Sequence, residues 1–275
     1  MDRQENVIVL GAGYVARFIL TVKRFDVNVL YTSRDPEHHL RWVPPQQRLL
    51  FDLDQPDTWP NIPSGADLLW CFPAAPLTLV QQFASGLNAR SRRIVVLGST
   101  SAYDVSDRQD CPPPWIDETA PVDISKPRVQ GEEYLRRECG AVVLRVAGIY
   151  GCGRHPYQWI RAGRVALSDK YVNLIHAEDV AGICLAALQC GLSGTVYNVS
   201  DGVPRTWRDI GRRLYGDRVD HQPVEAQGPL GKRIRTARLR SLLEEAQTSI
   251  RHPDLFRALE DLPDEGQDSS PPATH

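Results

Sequence analysis

The sequence predicts an α/β fold in which helices cover both faces of a doubly wound parallel sheet. Short apolar runs alternate with helix-like segments along the chain, and in a single domain this alternation is typical of a parallel sheet. The first apolar run ends in a glycine-rich loop that leads directly into a helix-like segment. With 275 residues, 42% of them hydrophobic, the chain is long enough for one large domain or for a domain with a small lobe.

Each predicted element rests on its local pattern. Buried parallel strands are apolar on both faces, and several short runs fit this description. The candidate strands are 6–10, 27–32, 48–52, 67–72, 93–98 and 141–146. The candidate helices are 14–25, 77–90 and 127–138. A polar, proline-rich segment at 104–121 interrupts the alternation and is either a functional cover or a surface loop.

The segment NVIVLGAGYVA at 6–16 has the G-x-G-x-x-A pattern of a dinucleotide-binding loop. Gly11 permits the tight turn, Gly13 lets the backbone approach a pyrophosphate, and Ala16 lets the helix pack closely on the strand. A bare glycine turn is the alternative, but the position between two candidate strands favours a Rossmann-type nucleotide site. The residues assigned here to cofactor binding are Gly11, Gly13, Tyr14 and Val15.

The end of the second candidate strand indicates which dinucleotide is bound. Folds that prefer NAD usually carry an acidic residue there for the ribose 2′-hydroxyl, whereas this chain has Ser33 and Arg34. The guanidinium of Arg34 suits a 2′-phosphate and the Ser33 hydroxyl adds a donor, so NADP is the expected cofactor. Asp35 follows directly and keeps NAD as an alternative, and Arg34 could also be a solvated charge.

Composition argues against several functional classes. The formal net charge of −2 shows no basic excess for nucleic-acid binding. The cysteines form no C-x-x-C pair, which favours free thiols in a reducing compartment over a disulfide or zinc framework. They are Cys71, Cys111, Cys139, Cys152, Cys184 and Cys190. The N-terminus has no leader pattern and no apolar run reaches spanning length, so we expect a cytoplasmic protein without a membrane segment.

An ordered series of motifs is similar to one family, the extended short-chain dehydrogenase/reductases, which include NAD(P)-dependent epimerases and dehydratases. Besides the glycine loop, the matching segments are Asp52-Leu53, GSTSAYD at 98–104, LRVAGIYGCGR at 144–154, NLIHAEDVAGICLAAL at 173–188 and TVYNVSDGVPRTWRDI at 195–210. The resemblance covers nearly all of the chain except the tail. It implies a Rossmann fold with a small C-terminal substrate lobe, a small-molecule substrate and, because helices pair in many relatives, a possible homodimer.

The resemblance also implies an organisation and further site residues. The dinucleotide-binding core would span 1–150, and a mixed segment at 151–261 would complete the core and form the substrate lobe. The remainder, 262–275, has the composition of a disordered tail. Asp52 and Leu53 would contact the adenine. Also assigned are Phe72 and Pro73 at the cofactor, and Tyr150 and Arg154 beside the substrate cleft.

The family's catalytic Tyr-x-x-x-Lys pair, in which the lysine lowers the pKa of a proton-exchanging phenol, has no counterpart in this sequence. One alignment register places Ile124 at the tyrosine and Arg128 at the lysine, whereas anchoring on Ser125-Lys126 places Val122 at the tyrosine. Neither register supplies a phenol. This absence resembles an atypical branch of the family. The segment GKRIRTARLR at 231–240 is similar to that branch's C-terminal landmarks. The alternative is that this segment is an ordinary basic amphipathic helix.

Candidate catalytic groups lie where the carboxyl ends of the strands should meet the cofactor. Ser99 and Ser101 could hydrogen-bond a substrate oxygen, and Tyr103 is the nearest phenol, with packing as its alternative role. Lys126 and Arg128 could bind ribose or a substrate anion. Arg128 cannot lower the pKa of a partner by sharing a proton, because its guanidinium stays charged.

We expect no metal site, because the sequence shows no second histidine or acidic cluster at ligand spacing around His155 or His176. Three functions remain open. We favour an NAD(P)-binding oxidoreductase or epimerase/dehydratase-like enzyme acting on a small polar or sugar-like substrate. The alternatives are a non-catalytic NADP(H)-sensing regulatory protein and a cyclase or lyase that works without hydride transfer.

Overall fold

The computed structural model describes residues 6–22, 27–87, 91–103, 110–221 and 230–263 of the chain. The strands within these ranges are β1 Asn6–Leu10, β2 Asn28–Ser33, β3 Arg48–Leu50, β4 Ala66–Trp70, β5 Ser91–Ser99, β6 Trp115–Ile116, β7 Val142–Val146, β8 Gly148–Tyr150, β9 Tyr171–Val172, β10 Leu174–His176, β11 Val196–Val199, β12 Arg205–Thr206 and β13 Arg233–Ile234. All of the predicted strands are present, with ends shifted by at most two residues.

Seven strands form the central sheet in the order β11-β7-β5-β4-β1-β2-β3, and all of their pairings are parallel. From β1 the chain runs outward through β2 and β3 and then returns to β4 on the other side of β1. This reversal opens a crevice at the carboxyl ends of the strands, where open α/β sheets bind ligands. The predicted doubly wound fold is confirmed.

The apolar runs of the strands supply two cores, one on each face of the sheet. In β1, Val7 and Val9 belong to one buried cluster, while Ile8 and Leu10 belong to the other. Successive side chains of a strand point to opposite faces, so a run that is apolar at every position can be buried only between two layers. The continuous apolar pattern thus explains why helices cover both faces.

The helices are α1 Tyr14–Ile19, α2 Pro36–His39, α3 Leu77–Leu87, α4 Pro127–Glu138, α5 Pro156–Arg161, α6 Ala177–Cys190, α7 Trp207–Tyr215, α8 Ala237–Glu245 and α9 Leu255–Asp261. The bounds of α4 are those predicted. Within the described residues, none of the helices is both long enough and apolar enough to span a bilayer.

Helix α1 is shorter than the predicted 14–25, of which the part from 23 onward lies outside the described residues. The amides of Thr21 and Val22 both donate to the Phe18 carbonyl, and the Thr21 hydroxyl donates to it as well, at 2.8 Å. A threonine side chain that competes for a helical carbonyl in this way favours the end of a helix.

A third buried cluster lies outside the central sheet and is built from Tyr150, at the end of β8, and the chain that follows it. It packs α5, α7 and α9 around Tyr150, Leu174 and Trp207. Three short strand pairs, β8 with β10, β9 with β12 and β6 with β13, form separate two-stranded sheets outside the central sheet. Strand β11 nevertheless returns to the central sheet beside β7, so residues after 151 contribute to both parts.

Glycines let helix α4 approach the sheet closely. A Cβ atom at Gly131 would stand 1.9 Å from the carbonyl oxygen of Ala74, and one at Gly98 would stand 2.8 Å from the carboxylate of Glu132. A larger side chain at Gly131 would force the helix to shift, whereas one at Gly98 would force the Glu132 carboxylate to move. The start of α4 is thereby held beside the carboxyl end of β5.

We expect Gly131→Ala to lower the free energy of unfolding by about 1–3 kcal/mol, because the added methyl collides with backbone rather than with a flexible side chain. Gly86→Ala is the matched control, since Gly86 is exposed in the last turn of α3 with no atom within 4 Å of its Cβ position. There the higher helix propensity of alanine should raise stability by up to about 1 kcal/mol. Urea denaturation measures both, and shifts of the same sign would contradict the close approach.

Candidate functional site

A cavity of about 370 Å³ lies at the carboxyl ends of β1 to β4, in the crevice made by the reversal of strand order. Its walls come from the four loops that leave these strands. Of the residues assigned from sequence to the cofactor, it is lined by Gly11, Gly13, Ser33, Arg34, Asp52, Leu53 and Phe72. The size and position suit part of a dinucleotide.

The glycine loop is fixed in place by Thr32. The Thr32 hydroxyl accepts from the amide of Gly11 at 2.9 Å, and the Thr32 carbonyl accepts from the amide of Ala12 at 3.0 Å. Gly11 has a φ of 76° and a Cβ there would stand 2.6 Å from the Phe72 ring, so only glycine fits. A Cβ at Gly13 would meet no atom within 4 Å, which leaves open space beside the loop.

Arg34 and Asp35 have different roles at the end of β2. Arg34 is exposed at the rim of the cavity and forms no ion pair with any described residue. The carboxylate of Asp35 caps α2 by accepting from the amide of His38 at 3.1 Å. The Ser33 hydroxyl is hydrogen-bonded to Nδ1 of His39 at 2.9 Å, and His39 also lines the cavity.

The remaining residues assigned to the cofactor are divided between the cavity and its surroundings. The Asp52 carboxylate accepts from the amide of Asp54 at 3.1 Å, which shapes the loop after β3. Pro73 is exposed beyond Phe72 and does not line the cavity. Val15 is buried in the core between α1 and the sheet, so its contribution is packing.

Tyr14 joins the glycine loop to the segment that follows β8. The guanidinium of Arg154 stacks over its ring at 4.0 Å, and its hydroxyl donates to the Cys152 carbonyl at 2.7 Å. Arg154 is exposed, whereas Tyr150 is fully buried and packs edge-on against His176 at 5.2 Å. Tyr150 thus supports the core of this region and does not face a cleft.

Four of the five residues assigned to catalysis meet at the carboxyl end of β5. The ammonium of Lys126 donates to the Ser101 carbonyl at 2.8 Å, and the guanidinium of Arg128 donates to the Ser101 hydroxyl. The Ser99 hydroxyl accepts from the amide of Ser101 at 3.2 Å. The structure therefore brings together Ser99, Ser101, Lys126 and Arg128.

A further lysine, Lys232, joins this group from the C-terminal part of the chain. Its ammonium donates to the Thr100 carbonyl at 2.7 Å. Burial, together with the charges of Lys126, Lys170 and Arg128, lowers the pKa of Lys232 to about 8. The sequence placed Lys232 only within a family landmark, and its separation of 132 residues from Thr100 gave no local signal of this contact.

Tyr103, the fifth of these residues, points away from them. It is 2% exposed, its hydroxyl donates to Oδ1 of Asn198 at 2.6 Å, and the guanidinium of Arg145 lies 4.9 Å from the centre of its ring. Burial raises the pKa of Tyr103. These contacts favour its alternative role in packing over proton donation.

Comparison with known proteins identifies the fold. No family model matches the chain. Over 131 residues it is 35% identical to Protein YeeZ of Escherichia coli strain K12, a match that covers 45% of this chain and 45% of that protein. The chain thus matches less than half the length of this curated relative.

Solved structures match nearly the whole chain. A putative NAD-dependent epimerase/dehydratase from Methylobacillus flagellatus has a TM-score of 0.69 at 23% identity, covering 94% of this chain and 98% of that one. A short-chain dehydrogenase/reductase superfamily protein from Agrobacterium tumefaciens, solved with bound NAD, has a TM-score of 0.67 at 15% identity, covering 93% and 96%. The chain shares the Rossmann-type fold of these structures. The fold that the motifs implied is confirmed, and the atypical branch stays a prediction.

The two residues that the alignment registers place at the family's tyrosine both lie within the described part of the chain. Ile124 is 55% exposed just before α4, and Val122 forms a backbone bridge with Tyr103. The carboxyl end of β5 is therefore surrounded by hydroxyls and cations, and neither register places a phenol there.

Three possible metal ligands meet in space, namely His176, Glu178 and His252, although His252 lies 74 residues after Glu178 in the sequence. Nδ1 of His176 accepts from the amide of Glu178 and caps α6. A neutral imidazole that accepts at Nδ1 carries its proton on Nε2, which leaves no lone pair there for a metal. His252 is hydrogen-bonded to the Glu178 carboxylate at 3.1 Å. Capping and pairing thus account for the cluster.

Glu132 lies beneath the catalytic candidates, buried against Gly98. Its Oε2 atom has no hydrogen-bond partner among the described residues. Burial raises the pKa of Glu132 to about 7, although the charges of Arg128 and Arg145 act in the opposite direction. The folded protein therefore holds this proton more tightly than the unfolded chain does.

Glu132→Gln should make the free energy of unfolding less dependent on pH. In the native protein, unfolding releases the Glu132 proton between its ordinary pKa of 4.5 and about 7, so this carboxyl makes stability fall as pH rises through that window. Above this window the free energy of unfolding of the variant, measured relative to that of the native protein, should be up to about 3 kcal/mol higher than at pH 4.5. Urea denaturation across this range measures the slope.

The control is Glu244→Gln, which changes an exposed carboxylate on α8. It should leave the slope as in the native protein. An unchanged slope in Glu132→Gln would mean that Glu132 is ionised in the folded state throughout the range.

Proposed function

We propose that the chain is an NADP(H)-dependent oxidoreductase related to the extended epimerases and dehydratases, acting on a small polar substrate. The observation that carries this proposal is the cavity at the reversal of strand order, where the glycine loop and Arg34 face the same space. Neighbours with this fold include a protein solved with bound NAD, which supports a nicotinamide dinucleotide as the cofactor.

The preference for NADP over NAD rests on the charges at the rim. Arg34 offers a permanently charged donor fork at the position where an acidic residue would hold the ribose 2′-hydroxyl. Asp35 does not compete, because its carboxylate caps α2. His39 lies at the same rim and can add a donor to a 2′-phosphate when its second ring nitrogen carries a proton.

The chemistry assigned to the chain is positioning and hydrogen bonding at the carboxyl end of β5. When bound, the nicotinamide supplies or accepts a hydride. The hydroxyls of Ser99 and Ser101 can orient a substrate oxygen, and Lys126 and Arg128 keep a positive potential there that stabilises developing negative charge. Tyr14 and Arg154, which contact each other, connect the cofactor loop to the substrate side.

A non-catalytic NADP(H)-sensing protein is the second candidate, and the missing phenol favours it. Neither alignment register supplies a tyrosine, and Tyr103 is buried against Asn198. A sensor would discriminate between the oxidised and reduced cofactor without turnover. An oxidoreductase would show a change in nicotinamide absorbance with a suitable substrate.

Isothermal titration of the purified protein with NADP, NADPH, NAD and NADH tests the proposal. We expect tight binding of the phosphorylated pair. Gly13→Asp should abolish it, because the new carboxylate enters the open space beside the glycine loop without a steric clash in the fold. Arg34→Asp should weaken NADP(H) by about ten- to a hundredfold, since it removes a charge-assisted hydrogen bond and adds repulsion.

Arg257→Asp is the matched control for the charge change, because Arg257 is exposed on α9 and does not line the cavity. It should bind all four nucleotides as the native protein does. Failure of the native protein to bind any of them would overturn the proposal, and equal losses in the two arginine variants would remove the role of Arg34.

A further inference from the structure

Three cationic side chains converge on two consecutive residues at the carboxyl end of β5. The ammonium groups of Lys232 and Lys126 donate to the carbonyls of Thr100 and Ser101 at 2.7 and 2.8 Å, and Arg128 donates to the Ser101 hydroxyl. Lysine has three donors and arginine five. Each cation can therefore bond to a further acceptor while it keeps its contact with β5.

The positive charge of this cluster is only partly balanced. Asp123 pairs with Lys126 at 3.1 Å. Arg128 and Lys232 form no ion pair with a carboxylate in the described ranges. Glu132 lies near Arg128, but burial raises its pKa to about 7, so near neutrality it supplies only part of a negative charge.

The chain holds Lys232 in place through its backbone. The Lys232 carbonyl accepts from the side-chain amide of Asn173 at 2.8 Å, and Oδ1 of Asn173 accepts from the amide of Ile234 at 3.0 Å. Just before it, Gly231 packs against Tyr171, where a Cβ would stand 2.2 Å from the carbonyl oxygen. Lys232 thus reaches Thr100 from a backbone segment, directly before β13, that these contacts hold in place.

Like charges repel, so each of the three cations is less stable beside the other two than it would be alone. Burial and the neighbouring cations lower the pKa of Lys232 to about 8. A bound anion would relieve this repulsion and favour the charged ammonium. The arrangement therefore gains stability when an anionic group is present.

We propose that Lys126, Arg128 and Lys232 form an anion-binding subsite that holds a carboxylate or phosphate group of the substrate. The proposal rests on the proposed function, because only a cofactor in the adjacent cavity makes this edge of the sheet a reaction site. Strand β5 is two positions from β1, about 10 Å away at normal strand spacing. The substrate is then a small acid or phosphate ester whose reacting carbon lies near its anionic group.

Thermal shift assays of the NADP-saturated protein with sodium oxalate or inorganic phosphate test the subsite, with ionic strength held constant by sodium chloride. Ligand binding raises Tm according to its concentration and Kd. We expect at least one of the two anions to raise Tm. The anion with the lower Kd shows whether the subsite prefers a carboxylate or a phosphate group of the substrate. Oxamide, the neutral analogue of oxalate, should leave Tm unchanged.

Lys232→Met and Lys126→Met should each weaken binding of that anion by about tenfold or more, because each removes a charge-assisted hydrogen bond. Lys170→Met is the control. Lys170 is exposed and adds to the local positive potential, but among the described residues its ammonium makes no hydrogen bond or ion pair with β5, so its variant should weaken binding less than threefold. The subsite would be overturned if all three variants weakened anion binding equally or if neither anion raised Tm. It would also be overturned if oxamide raised Tm as much as oxalate does.

The same titration in the Gly13→Asp protein without nucleotide separates the two proposals. In that variant the glycine loop cannot hold an anion, so an effect that depends on Lys232 reports the subsite alone. If the Gly13→Asp protein bound the anion while the native protein bound no nucleotide, the proposal of the subsite would stand and the proposal of an oxidoreductase would be overturned. Nucleotide binding without an anion effect would do the reverse.

Discussion

The parallel pairing of β1 between β2 and β4 is the constraint on which the rest of the structure depends. Because the chain moves away from β1 in opposite directions, the loops after these strands diverge and leave the crevice between them. The carboxyl ends of parallel strands also lie along one edge of the sheet. The glycine loop, Arg34 and the two serines Ser99 and Ser101 therefore all lie at that edge. A single topological feature thus positions both parts of the site.

Local patterns were sufficient to predict most of the fold. The continuous apolar runs predicted burial on both faces, and the two clusters that share β1 show why. Pro127 marked the start of α4, since proline is favoured in the first turn of a helix. The short α1 was not predicted, because nothing in the pattern indicated that the Thr21 hydroxyl would take the Phe18 carbonyl.

The site was predicted less completely because much of it depends on contacts distant in sequence. Thr32 fixes the glycine loop from the neighbouring strand, and Lys232 reaches Thr100 across 132 residues. Periodicity and spacing carry no signal of such contacts. Tyr103 shows the opposite case, since its position near Ser101 in sequence suggested chemistry, while its contact with Asn198 favours packing.

Asp35 illustrates how a fold can separate two neighbouring charges. Its carboxylate is engaged at the start of α2, whereas Arg34 is exposed and contributes nothing to the core. The charge that faces the cavity can therefore be exchanged by a single substitution at little cost to folding. If the proposed nucleotide site is correct, proteins that share this core can change their nucleotide preference at position 34 without passing through a poorly folded intermediate.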